Sequence, residues 1–205
     1  MRRLNVHKNQ GFTLLEILIA LAIAGIFAIL TGPNLLAWLN SNRVQQATDA
    51  IQLALEDAQR QAIRRGRSCT INFTEGTGTP TVYRQITASE PGCLVATNTN
   101  AGSLSLPQEV FMVVDNFPIL DGSKGVQFSF RGHVPELTFV PRASQAIIVL
   151  YSAADATADP YPNQEKKCLV IASLLGIIKQ GTYTGTSPTN LDANNCQIRL
   201  DGTQP

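Results

Sequence analysis

Charge is scarce in this chain. Asp, Glu, Lys and Arg make up only 15% of its 205 residues, and the formal net charge is +1. That balance excludes the broad basic surface of a non-specific nucleic-acid binder and the charge density of an acidic tail. Histidines number two, His7 and His133, and there is no CxxC pair, so a zinc site is poorly supported. No G-x-S-x-G, H-E-x-x-H or Walker loop occurs, which leaves no marked catalytic or nucleotide site. His133 follows Gly132 in an expected turn without a partnered motif and reads as a solvated turn residue. No internal repeat is evident. An enzyme is therefore the class least supported, and no cofactor or metal is expected.

What little charge there is leaves one long stretch almost empty. From Phe12 to Leu30 the only formal side-chain charge is Glu16. Arg2, Arg3 and Lys8 precede the stretch, which is the layout of an export signal. No small-x-small cleavage site follows in "TGPNLLAWLNSN", and the apolar run is about long enough to span a bilayer as a helix. The positive leader would stay in the cytoplasm, with the bulk of the chain outside. All four cysteines, Cys69, Cys93, Cys168 and Cys196, lie after this run. An even number downstream of an export-like segment favours two disulfides in an oxidising compartment over four buried thiols. Of three pairings, Cys69–Cys93 with Cys168–Cys196 is preferred because each closes a local loop, adding roughly 3 kcal/mol less any strain.

The residues "QGFTLLEILIALAI", Gln10 to Ile23, resemble the class III signal of the type IV pilin superfamily. The resemblance implies cleavage by a prepilin peptidase between Gly11 and Phe12. It also implies N-methylation of Phe12, and a fifth mature residue, Glu16, that acts in assembly. Pro33 falls where many pilins carry a helix-kinking proline. In the head, "LEDAQRQAIRRGRSCTINF", "VQFSFRGHV" and "CLVIASLLGIIKQGTY" are similar to the GspH/FimT branch of minor pilins and pseudopilins. Some members of that branch bind DNA through Gly-Arg-x-Arg in the last hairpin. The stretch here is Gly176-Ile177-Ile178-Lys179, so both arginines are replaced.

A carboxylate inside an apolar span costs about 2.5–3.5 kcal/mol on insertion scales and needs a partner. Cleavage after Gly11 would create one, the α-amino group of Phe12. That amine lies four residues before Glu16 and could meet it within one helix, but it is repelled by the dipole of that helix, so Glu16 of a neighbouring subunit could help neutralise it. A carboxylate snorkelling to the interface is the other reading. Beyond Pro33, where a backbone donor is lost, Val44, Ala47, Ile51, Ala54, Leu55, Ala58 and Ala62 recur at helical spacing. Arg43, Gln45, Gln46, Asp49, Gln52, Glu56, Gln59 and Arg60 take the opposite face, and Arg64, Arg65 and Gly66 mark a C-terminal stop. One helix is expected from about Phe12 to Arg65. Trp38 suits an interfacial anchor or a contact with a neighbour.

The remainder has strand grammar: "CTINF", "TVYRQI", "VFMVV", "VQFSF", "ELTFV", "AIIVLY" and "CLVIASL", separated by turn-rich segments. The loops "SEPGCLVATNTNAGS" and "GTYTGTSPTNLDANN" are long and polar and are expected to be exposed. The fold class expected is α+β, a long N-terminal helix packed on an antiparallel β-sheet head, which the resemblance names as the type IV pilin-like fold. The expected organisation is a leader (1–11), a transmembrane or filament-core helix (12–33), an amphipathic continuation (34–66) and a β-rich head (67–205).

The function expected is a minor subunit of a type IV pilus or type II secretion pseudopilus. Its partners would be other pilin or pseudopilin subunits, prepilin peptidase and an inner-membrane assembly platform. It would sit in the inner membrane with its head in the periplasm before assembly. The alternatives are a DNA receptor for uptake, with Arg60, Arg64, Arg65, Arg67 and Lys179 as candidate phosphate contacts, and an unprocessed, membrane-anchored binding domain.

Overall fold

The computed structural model describes residues 12–74, 76, 81–95, 102–154, 160, 164–186 and 191–198, without the side chains of residues 27–34 and 143. The architecture is α+β. Helix α1 (Leu14–Arg65) is followed by eleven strands among the described residues. The chain divides into two compact units, residues 1–39 and residues 40–205.

In the second unit the helix buries the stripe its spacing predicts. Val44, Ile51, Leu55, Ala58 and Ala62 are all 0% exposed. Thr48, buried beside this stripe, satisfies its hydroxyl by donating to the Val44 carbonyl at 2.7 Å. The helix ends where a left-handed residue is available. Gly66 has φ 62°, its N–H reaches Ile63 O at 3.3 Å, and Arg67 N–H reaches Ala62 O at 3.2 Å. This is the Schellman pair that satisfies the last carbonyls.

Two antiparallel sheets receive the stripe. The first has the order β4 (Ser103–Ser105), β3 (Gln85–Ala88), β1 (Cys69–Thr74), β7 (Ser123–Phe128), β6 (Ile119–Leu120). The second runs β11 (Cys196–Ile198), β10 (Ile178–Tyr183), β9 (Lys166–Ile171), β8 (Ile147–Ser152), β5 (Val110–Asp115), β2 (Val82–Tyr83). Side chains alternate across a strand, and here the alternation sorts two cores. Ile71, Phe73, Val126 and Phe128 of the first sheet share one cluster with Met112, Ile148, Leu150 and Leu169 of the second, and with the helix stripe. The outward residues of the second sheet, including Phe111, Val113, Ile147, Val149 and Val170, form another with Leu191 and Ala193. Burial on both faces is why β5, β8 and β9 read as unbroken apolar runs rather than as alternation. The first sheet's outer face is polar instead: Thr70 meets Glu90, and Asn72 Nδ2 donates to Ser89 Oγ at 3.0 Å.

Each disulfide ties one of these layers. Cys69 is joined to Cys93, holding the segment after β3 against the end of the helix, with Cα atoms 5.6 Å apart. Cys168 is joined to Cys196, linking β9 to β11 on the outer side of the second sheet, with Cα atoms 5.9 Å apart.

Several local expectations are corrected. "TVYRQI" is not one strand: Val82 and Tyr83 pair with β5 in the second sheet, whereas Gln85 onward pairs with β1 in the first. Arg84 stands at the crossing, donating to Pro107 O at 2.9 Å and Gln108 O at 2.8 Å, with its guanidinium 5.0 Å from the Phe111 ring centroid. "ELTFV" is a turn and coil: Pro135 and Pro141 flank it, and Leu137 N–H closes a turn on Val134 O at 3.3 Å. The two loops expected to be exposed contribute buried residues, Cys93 and Leu94 in one and Leu191 and Ala193 in the other. Burial also raises the pKa of the Tyr83 phenol above its ordinary 10.0.

Leu55→Ala should destabilise the protein by about 2–5 kcal/mol, since the side chain is wholly enclosed and the two sheets cannot both close on the cavity. Urea unfolding of the oxidised protein followed by Trp38 fluorescence and circular dichroism measures it. A loss of less than half a kilocalorie would contradict this packing.

Candidate assembly helix

The first turn of α1 is organised by Thr13. Its Oγ1 accepts from Glu16 N–H at 3.3 Å, and its carbonyl accepts from Glu16 N–H at 3.1 Å and Ile17 N–H at 3.3 Å. Thr13-x-x-Glu16 is the spacing of a capping box. Sequence reasoning passed over Thr13, although the T-x-x-E pattern before an apolar run marks it. Glu16 thus lies in the first turn, where a carboxylate is favoured by the helix dipole. Its carboxylate makes no ion pair among the described residues.

After this cap the helix is apolar around its whole circumference. Phe12 is 79% exposed, Leu15 67%, Leu21 64%, Leu36 64% and Trp38 61%. A helix of that kind is stable in water only when something covers it. The described side chains of the run stop at Ile26, and among the described residues no helix is long and apolar enough to cross a membrane. Gly11, the residue before the expected cut, lies outside the described residues. The helix is assigned without interruption through Pro33, whose side chain is likewise outside the description.

The candidate phosphate contacts do not converge. Arg60 lies 3.9 Å from Asp57. Arg65 donates to Pro91 O at 2.5 Å, and Arg65 and Arg67 line a hollow of about 280 Å³ that they share with the carboxylate of Glu90 and with Cys69 and Cys93. Lys179 lines a separate shallow hollow of about 340 Å³ with Arg142, Asn194, Cys196, Gln197 and Ile198. His133 belongs to a tight turn, its N–H donating to Ser129 Oγ at 3.1 Å. Among the described residues no group of three or more His, Cys, Asp or Glu side chains could hold a metal ion.

Gln59 was assigned only to the solvent face, yet it ties three segments together. Its Nε2 donates to Gly132 O at 2.8 Å and to Leu175 O at 2.7 Å, joining the helix to the turn after β7 and to the tip of the β9–β10 hairpin.

Thr13→Ala should remove the side-chain cap at a cost of about 1 kcal/mol. In detergent micelles, amide exchange at Glu16 should rise several-fold while exchange at Ile51 and Leu55 stays unchanged. Equal exchange at Glu16 in both proteins would refute the cap.

Residues 6–32 match the family model described as the prokaryotic N-terminal methylation motif. No curated protein matches the chain. Among solved structures, the chain is similar to the type IV minor pilin FimU of Pseudomonas aeruginosa PAO1, with 12% identity, 76% of this chain and 96% of that one covered, and a TM-score of 0.43. It is also similar to the minor pseudopilin EpsH of the Vibrio cholerae type 2 secretion system, with 8% identity, 68% and 97% coverage, and a TM-score of 0.46.

Proposed function

We propose that this chain is a minor pilin or pseudopilin, a non-enzymatic subunit that is processed at its N-terminus and assembled through its first helix. The observation that carries the reading is the combination at that terminus. A methylation motif over residues 6–32 leads into a capped helix whose apolar side chains are exposed on every side. Cleavage between Gly11 and Phe12 would leave Phe12 as a methylated amine beside the first turn. Residues 12–33 would anchor the precursor in the inner membrane, with the head in the periplasm. In the assembled state neighbouring helices would replace lipid around the same side chains. Glu16 of one subunit would then meet the Phe12 amine of another, so that neither charge is left alone in an apolar medium.

The uptake-receptor reading has less support. Loss of the leader removes Arg2, Arg3 and Lys8, taking the formal side-chain charge from +1 to about −2. Arg60 and Arg65 are engaged within the fold, and Lys179 stands apart from them. Phosphate binding without sequence preference needs a continuous cationic track.

Two measurements test the proposal. In a host with an active prepilin peptidase, intact mass should show residues 1–11 removed from the wild type and retained in Gly11→Val, whose side chain crowds the cut. An uncleaved wild type would sink the processing step. Glu16→Ala should be depleted severalfold from sheared filaments while native disulfides and circular dichroism of the head persist. Undiminished incorporation would remove the assembly role from that carboxylate, and salt-sensitive micromolar binding of duplex DNA by the processed protein would favour the receptor instead.

A further inference from the structure

The head carries an exposed apolar patch at the C-terminal end of α1. Ile63 is 52% exposed, Phe130 53%, Leu174 49%, Leu175 58% and Ile177 49%. They come from three segments that the fold holds together. Gln59 bridges the turn and the hairpin tip through Gly132 O and Leu175 O, and Val134 N–H donates to Leu174 O at 3.0 Å. The junction has no slack: a Cβ at Gly176 (φ 70°) would stand 2.7 Å from Gln59 Nε2 and 3.1 Å from Gly132 O. Large side chains kept half in water on a rigid base are the signature of a binding surface. The patch is edged by a cation: Arg131 lies over the Phe130 ring at 5.3 Å, while Arg60, one turn before Ile63, is held 3.9 Å from Asp57.

A complementary feature sits at the other end of the same strand. The patch begins just past Phe128, where β7 ends, and β7 starts at Ser123 in a hairpin with β6. Ile119 on that hairpin is 75% exposed, and the exposed carboxylate of Asp121 lies two residues on. The tip is stiff. Ile119 pairs with Lys124 and Leu120 with Ser123, leaving Asp121 (φ 50°) and Gly122 (φ 82°) as a two-residue turn of the type that matches strand twist. The hairpin is an exposed apolar tip carrying the Asp121 carboxylate, with its Lys124 held 3.7 Å from Asp115, and the patch is a broader apolar surface carrying the Arg131 guanidinium.

We infer that the Phe130–Leu175–Ile177 patch receives the Ile119–Asp121 hairpin of a second copy of this chain, in a head-to-tail contact between heads. Tip and patch are different surfaces, so the contact is heterologous and leaves one of each free for further copies. Few residues take part, fewer than a standard interface of about 1,600 Å² needs. The contact is therefore weak by itself and acts where copies are held close, when tethering supplies the effective concentration. The inference stands on the head alone and does not depend on cleavage after Gly11 or on Glu16.

The test uses the full chain in detergent micelles. Ile119→Cys and Leu175→Cys are made separately, given different epitope tags, and treated with a short bismaleimide singly and mixed. The native disulfides should remain closed to maleimide in both, which checks the fold. The mixture should give the cross-linked heterodimer several-fold above the homodimer yield of either variant alone. Adding Asp121→Asn, which keeps a residue suited to positive φ, to the Ile119→Cys chain should lower that yield. So should adding Arg131→Gln to the Leu175→Cys chain, and so should raised salt. Adding Phe130→Ser to the Leu175→Cys chain should abolish the excess. Equal yields from the mixture and the single populations would overturn the contact, as would a heterodimer yield indifferent to Phe130→Ser.

Discussion

The contact between the Val44–Ala62 stripe and the two sheets is the constraint on which the head is built. One helical face must satisfy two sheets at once, and it does so with residues of two sizes. Ile51 and Leu55 supply its bulk, and Ala47, Ala54, Ala58 and Ala62 lie buried beside them in the same cluster. Because the sheets meet on the helix, the chain can pass from one to the other at Arg84 without breaking the core. At that passage Leu106 N–H donates to Arg84 O, and the Arg84 guanidinium donates to the carbonyls of Pro107 and Gln108.

The first half of the same helix follows the opposite rule. Its side chains are as apolar as the stripe, yet Leu15, Leu21, Leu36 and Trp38 stay more than half exposed. Hydrophobic free energy that the head realises within one chain is here left to be realised with lipid or with other chains. A single polar pair, Thr13 and Glu16, stands at the start, where four backbone N–H groups would otherwise lack acceptors.

Legibility followed the range of the interactions. The helix and its buried face were readable because the period of 3.6 is local, β5, β8 and β9 because enclosure of both faces makes them apolar runs, and β1 because Ile71 and Phe73 alternate with Thr70 and Asn72. "ELTFV" misled because its composition suits a strand while the prolines around it remove the pairing donors. Val82–Tyr83 and Gln85–Ala88 looked like one strand because nothing in six consecutive residues says that their partners lie in different sheets. β4 and β11, at three residues each, are too short to show a period. At the N-terminus the motif was plain, while the role of Thr13 required attention to the cap rather than to the charge. Gln59 was out of reach, since its partners are backbone carbonyls 73 and 116 positions away.

The disulfides have a consequence for biosynthesis. Partners are 24 and 28 residues apart, and no cysteine of one pair lies between the two of the other. A chain delivered N-terminus first into an oxidising space presents Cys69, then Cys93, then Cys168, then Cys196. An oxidase that simply joins each cysteine to the next one to arrive would make both native bonds without a reshuffling step. Nested or interleaved pairs would have required the first thiol to stay reduced while others passed it. The order of the cysteines along the chain is thus itself a set of instructions for their oxidation.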